Sequence, residues 1–397
     1  MADTSSFETL CVHGGEEKRT VGSPVALPIV SSTSFHAAAE SMYSAKSIEE
    51  EPPLFYTRWS NPTLRALERR LAALDGGEDA IVFASGMGAI AGLLFSKLKR
   101  GDRVVASDIL YPGTAELLDQ LESNWGVDVA RVDTSSLSEV ERALKPGARL
   151  VLFEIPASLT LRLTDVGAVV HLAHAAGAEV AVDATIATPI GIKPIALGAD
   201  YVVHSLTKYA CGHGDTMGGA VIGRRASLID IRRTGLALFG AVLHPQAAWL
   251  IERSLHTLPA RMRIHEANAL AVASFLESHP RVERVFYPGL PSHPQHELAR
   301  RQLANASGLL SFRPSDPQRL VRRLASDLEV ASYAISLGKS RTVVFFIRTE
   351  EVLQGSFKMS EAALSDFRAS AGEGLVRVSV GLECAADIIA DLDRCLS

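Results

Sequence analysis

The sequence predicts an α/β fold: a large domain on a mostly parallel sheet, followed by a smaller C-terminal α/β domain. Short apolar, β-branched runs at Ile81–Ala84, Arg103–Ser107, Leu150–Glu154, Glu179–Asp183, Tyr201–His204 and Ala220–Gly223 alternate with helical patterns, which is the order of βαβ units. After about Arg225 the pattern changes to longer helices, Gln246–His256 and Arg263–Ser278. Strands near Gly308–Phe312, Thr342–Ile347 and Leu375–Val380 follow, and an apolar helix begins at Ala385. The length of 397 residues exceeds the roughly 250–300 at which one core stops growing, so two domains are expected.

Element by element, residues 1–60 carry scattered Pro, Ser and Thr with little periodicity and read as an extended arm. Residues 61–255 form the large domain and 256–397 the small one. Asp75–Gly77 is a loop signal, Thr164-Asp165 caps a helix reaching about Ala176, and EEEPP at Glu49–Pro53 reads as a mobile loop. The most apolar run, Ala80–Phe95, is shorter than the ~20 residues of a membrane span and holds three glycines, so it reads as a buried strand entering a helix.

Composition excludes several classes. Hydrophobic residues are 47%, charged residues 21%, and the net charge is -5, which leaves no basic footprint for nucleic acid. Cys11, Cys211, Cys384 and Cys395 are scattered without a CxxC pair, so neither a disulfide framework nor a metal site is expected. His293 and His296 in SHPQH lack an acid or cysteine at ligand spacing and read as a surface loop. The start MADTSSFETL has no basic or apolar leader, so a cytoplasmic protein without a membrane role is expected.

The informative stretch is His204-Ser205-Leu206-Thr207-Lys208-Tyr209, preceded by AVDATIATP around Asp183. Pyridoxal phosphate needs a lysine for covalent attachment, a carboxylate for its ring nitrogen and a phosphate cradle. Lys208 follows the apolar strand YVVHS in a loop of Ser, Thr and Gly, at the edge of a parallel sheet where ligands bind. Asp183 ends its own strand and can hold the ring nitrogen protonated; capping the following turn is its structural alternative. Ala84-Ser85-Gly86-Met87-Gly88 lies where a strand meets an apolar helix, and its backbone N–H groups suit a phosphate. Ser205 and Thr207 add hydroxyls.

Seven pieces, in order, resemble the Cys/Met-metabolism pyridoxal phosphate enzymes. They are FYTRWSNPT (Phe55–Thr63), FASGMGAI (Phe83–Ile90), LYPGT (Leu110–Thr114), AVDATIATP (Ala181–Pro189), GADYVVHSLTKYACGHGD (Gly198–Asp215), AISLG (Ala334–Gly338) and LVRVSVGLE (Leu375–Glu383). The resemblance implies a fold-type I enzyme with pyridoxal 5'-phosphate as cofactor and an amino acid as substrate. It makes Lys208 the attachment lysine and proton carrier, Asp183 the ring-nitrogen partner and Tyr111 the stacking ring and auxiliary acid or base. It also assigns Gly86, Met87, Ser205 and Thr207 to the phosphate, and Arg377 with Ser336 to the substrate α-carboxylate. Tyr56 and Arg58 would reach the phosphate of a neighbouring subunit, which implies a homo-oligomeric dimer, usually within a tetramer.

Three departures qualify the match. Ser158 stands where the family usually has an asparagine touching the cofactor's ring oxygen, and Ala184 alters the surroundings of Asp183. After AISLG comes Lys339-Ser340-Arg341-Thr342, where two cations replace a neutral residue and an acid. Either Arg341 and its neighbour serve a substrate with an anionic group, or the loop is simply solvated. The expected activity is γ-elimination or γ-replacement on a sulfur-containing amino acid or an activated homoserine derivative. β-Elimination and a silent cofactor-binding scaffold are its competitors.

Overall fold

The six apolar runs and one further strand, namely β1 (Asp79–Phe83), β2 (Arg103–Ser107), β3 (Asp128–Val132), β4 (Leu150–Glu154), β5 (Glu179–Asp183), β6 (Tyr201–His204) and β7 (Gly219–Gly223), pair in the order β1–β7–β6–β5–β4–β2–β3. This computed structural model describes residues 6–16, 20–39, 44–50 and 54–397. Every residue of β1, β4, β6 and β7 is buried, the consequence of helices covering both faces of the sheet. Alternation along the strands sorts the side chains. Val82, Val105, Val151, Phe153, Val182 and Val202 join one core; Ile81, Phe83, Val104, Leu150, Leu152 and Val203 join the other.

Strands β2 to β6 pair in parallel. β7 runs against both of its neighbours. A parallel neighbour needs a crossover, usually a helix, and no helix or strand separates β6 from β7. The intervening loop, which holds Lys208, turns back directly. β3 was not anticipated, because DVARV alternates polar with apolar and lies only partly buried at the sheet's edge.

A second sheet takes β8 (Val282–Phe286), β9 (Leu309–Pro314), β10 (Ser332–Tyr333), β11 (Val343–Arg348) and β12 (Gly374–Ser379) in the order β10–β11–β12–β9–β8. It is antiparallel except for the β10–β11 pair. Helices Leu258–Ser278, Pro317–Ser326 and Ala385–Leu396 pack on it through Val272, Leu276, Leu320, Leu324, Ile388 and Leu392.

Among its described residues the N-terminal stretch holds helix Phe7–His13 and a short 3-10 turn at Ala45–Ser47. It is tied down where Thr63 Oγ1 donates to the Pro28 carbonyl (2.9 Å), Asn61 Nδ2 to that of Val30 (2.9 Å) and Trp249 Nε1 to that of Leu27 (2.9 Å). Of the expected Glu49–Pro53 loop, residues 51–53 lie outside the described residues. Among those described, no helix is long and apolar enough to cross a membrane, and no His, Cys, Asp and Glu cluster could hold a metal.

Candidate active site

The site is built where the parallel strands end. Glu154 and Asp183 are the last paired residues of β4 and β5 and stand side by side in register. Burial raises the pKa of the Asp183 carboxyl, against the opposing effects of hydrogen bonds from Thr185 and of the His204 charge. Burial and the neighbouring Asp183 charge likewise raise that of Glu154. Asp183 Oδ1 accepts the Thr185 N–H at 2.9 Å, so the turn-capping role is real as well. Glu154 accepts the N–H of Tyr111. Neither acid forms a salt bridge with a described lysine or arginine; the His204 charge only partly offsets the burial of Asp183.

Behind Asp183, His204 Nε2 lies 3.1 Å from both oxygens of Asp75. Burial lowers the pKa of this histidine, but the Asp75 carboxylate more than compensates and holds it above the ordinary value. The sequence could not reveal this pair, because its members are 129 residues apart.

Lys208 sits in the loop after β6. Its Nζ donates to Ser336 Oγ at 3.1 Å and meets no acid. Burial, then the charges of Arg377 and Lys339, lowers its pKa. The shift favours the uncharged, nucleophilic form of the amine. Arg261 holds the following turn in place: Nη1 donates to the Tyr209 carbonyl (2.7 Å), and Nη2 to those of Ala210 (3.3 Å) and Ser254 (2.9 Å).

The helix Gly86–Lys97 opens beside that loop. Ser85 caps it by accepting the Gly88 N–H at 3.0 Å. A Cβ on Gly86 would stand 2.8 Å from the Ser205 Cβ, so only glycine lets the helix start approach the lysine loop this closely. The Ser205 N–H is bound to Thr185 Oγ1 at 2.7 Å, and Thr207 Oγ1 closes a double contact with Gly218. Free N–H groups at a helix start with hydroxyls alongside fit a phosphate. Met87 and the Tyr111 ring meet over Gly113, where any Cβ would lie 2.9 Å from each. Tyr111 itself is 52% exposed, leaving its ring open to a ligand.

From the second sheet, Arg377 on β12 approaches Ser336. Its Nη2 donates to the Ser336 carbonyl at 3.4 Å, and burial lowers the pKa of the guanidinium. Ser336 has φ 131, a backbone conformation that L side chains rarely adopt. Gly338 has φ 73, and a Cβ there would lie 2.5 Å from the Tyr209 nitrogen. Lys208, Ser336 and Arg377 are thereby brought together from two sheets. Ser158 is partly buried, and its backbone bonds to Glu154. Arg341 is exposed without a hydrogen bond or ion pair among the described residues.

Tyr56 and Arg58 join none of these contacts. Arg58 donates to the Ala237 carbonyl and its guanidinium lies 5.6 Å from the centroid of the Tyr56 ring.

A parallel-sheet edge with a lysine amine, a buried acid pair and a glycine-fronted helix start defines a pyridoxal phosphate-type site. The family model described as Cys/Met metabolism PLP-dependent enzyme matches residues 8–397. The chain is 40% identical over 390 residues to an L-methionine gamma-lyase of Porphyromonas gingivalis, covering 98% of this chain and 96% of that one. It is 39% identical over 394 residues to an O-succinylhomoserine sulfhydrylase of Pseudomonas aeruginosa, covering 99% and 96%. The crystal structure of metB from Corynebacterium glutamicum superposes with a TM-score of 0.88 at 33% identity, covering 99% and 98%. The chain belongs to the Cys/Met-metabolism PLP-dependent enzymes.

Proposed function

We propose that this enzyme performs γ-elimination or γ-replacement on a sulfur-containing amino acid or an activated homoserine derivative, in the cytoplasm. The observation that carries the reading is the charge layout. A lysine amine whose pKa is lowered, with no acid partner among the described residues, accompanies a buried acid pair whose pKa values are raised. Relatives of both reaction types cover nearly the whole chain, which supports γ-chemistry over the silent-scaffold reading.

When bound, pyridoxal phosphate supplies an electron sink that acidifies the Cα and Cβ protons of the amino acid. Asp183 would hold the ring nitrogen protonated. Gly86, Met87, Ser205 and Thr207 would hold the phosphate, with Ser158 near the ring oxygen and Tyr111 stacked on the ring. Lys208 would attach the cofactor and carry the proton removed from substrate Cα. Arg377 and Ser336 receive the α-carboxylate, a task suited to a guanidinium fork. Tyr111 can exchange a proton at the leaving γ-group.

The same reading divides the chain into an arm (1–60), a cofactor domain (61–255) and a small domain (256–397). It places Tyr56 and Arg58 on the phosphate of a neighbouring subunit, in a dimer that assembles into a homotetramer. Trp125 and Phe239, 56% and 53% exposed around Phe95, supply apolar surface that an assembly would cover.

Borohydride reduction of the holoenzyme should fix the cofactor on the peptide containing Lys208, and Lys208→Ala should show neither adduct nor turnover. A variant that keeps both rules out the assignment. Wild-type enzyme should release 2-oxobutyrate from γ-substituted amino acids; pyruvate as the main product would indicate β-elimination instead.

A further inference from the structure

Resting on the site reading above, we propose that Lys339 forms a second anion subsite, selecting amino acids that carry a carboxylate or comparable anion at the far end of the side chain. The backbone around Lys339 is pinned on both sides. The Gly338 N–H donates to Ser379 Oγ at 2.8 Å, and the Ser340 N–H to the Gly212 carbonyl at 2.8 Å. The Ser340 carbonyl in turn accepts the Leu382 N–H at 2.7 Å. The residue between them is thereby held against the lysine loop.

Its side chain follows the same loop. A Cβ on Gly214 would stand 2.8 Å from Lys339 Cδ and 3.0 Å from Cε, so the stem runs over a position where any side chain would obstruct it. Lys339 is partly buried and close enough for its charge to act on Lys208. It has no hydrogen bond or ion pair among the described residues.

The nearby acids are already committed. Glu383 accepts the Thr342 N–H (2.7 Å) and hydroxyl (2.8 Å), and Asp215 accepts the Cys211 thiol at 3.3 Å. Asp183 and Glu154 lie at the sheet edge assigned to the cofactor ring.

Lys208, Arg377 and Lys339 thus converge on the site, and cofactor attachment and the α-carboxylate account for only the first two. An ammonium beside the site with no counter-ion among the described residues is free to pair with an arriving anion. Arg341, exposed two residues on, behaves as a solvated charge at the end of the strap. The two cations that interrupt the family pattern therefore divide: one lines the site and the other faces water.

The test uses holoenzyme and two amino acids of matched length with no γ-leaving group, L-2-aminoadipate and L-norleucine, titrated by calorimetry. Wild type should bind the dicarboxylate about ten-fold or more tightly than the neutral analogue. Lys339→Met should bring that ratio to about one, and Lys339→Arg should largely restore it. A wild-type ratio near one, or a preference that survives Lys339→Met, overturns the subsite. Release of 2-oxobutyrate from L-methionine and acylated homoserines, measured in parallel on wild type, separates this from the broader reading. Turnover without charge preference removes only the subsite, whereas charge preference without turnover supports the subsite and removes the proposed reaction.

Discussion

His265 shows how one buried side chain makes the enzyme sensitive to acid. The ring is fully buried, Nδ1 donates to the Val380 carbonyl at 2.8 Å, and Nε2 has no partner. Burial pulls its pKa down from 6.5 to about 4. The folded value lies below the unfolded one, so between them the unfolded chain binds the proton that the folded chain refuses. This stability is complete above about pH 6.5 and is lost as the pH falls toward 4, by up to roughly 3 kcal/mol. Urea midpoints should fall between pH 7 and 4.5, with a shallower slope in His265→Asn; an unchanged slope would remove His265 from the account. At this scale the residue types suited to the chemistry were readable. Lys208, Asp183 and Gly86 are types the cofactor requires, and each follows an apolar strand. His204 with Asp75, and Arg261 with Tyr209, were not readable, because pairing between distant residues leaves no local pattern.

Arg261 links two elements. It lies on helix Leu258–Ser278 and clamps carbonyls in the lysine loop without any acidic partner, its pKa lowered by burial to about 10. Gly212 answers to the same contact: it has φ 74, and a Cβ there would lie 2.2 Å from Arg261 Nη1. Arg261→Lys keeps the charge but cannot span three carbonyls. We expect it to lower stability by about 2–4 kcal/mol and to reduce kcat more than it raises KM, because the displaced turn carries Lys208. Unaltered kcat in a destabilised variant would show the clamp to be structural only. Elements were legible where apolar runs are continuous, as in β4 (LVLFE) and β5 (EVAVD). The π-helix Arg232–Leu238 was not: RRTGLAL has no signal of its own, and the buried bonds of Arg232 to Glu68 (2.9 Å) and the Ala80 carbonyl (3.2 Å) help to hold it.

For the whole molecule, the open question is whether one chain completes its site. Tyr56 is 40% exposed and Arg58 is turned to the Ala237 carbonyl, consistent with service to another copy. Arg58→Ala should weaken cofactor retention on dialysis about ten-fold or more, and light scattering of wild type should give a multiple of the 42.5 kDa chain. A monomer, or a variant that retains cofactor as firmly as wild type, would end the shared-site proposal. The order of residues was sufficient for the α/β class, the strand ends that carry Asp183 and Lys208, and the cofactor, because periodicity and required residue types are local properties. Packing alone decided that β7 runs backwards, that Asp183 and Glu154 share their burial, that Ser336 and Arg377 approach Lys208 from a second sheet, and that Lys339 is partly buried while Arg341 is exposed. Those outcomes depend on which distant groups exclude water from one another, and that is settled only when the sheets and their helices close together.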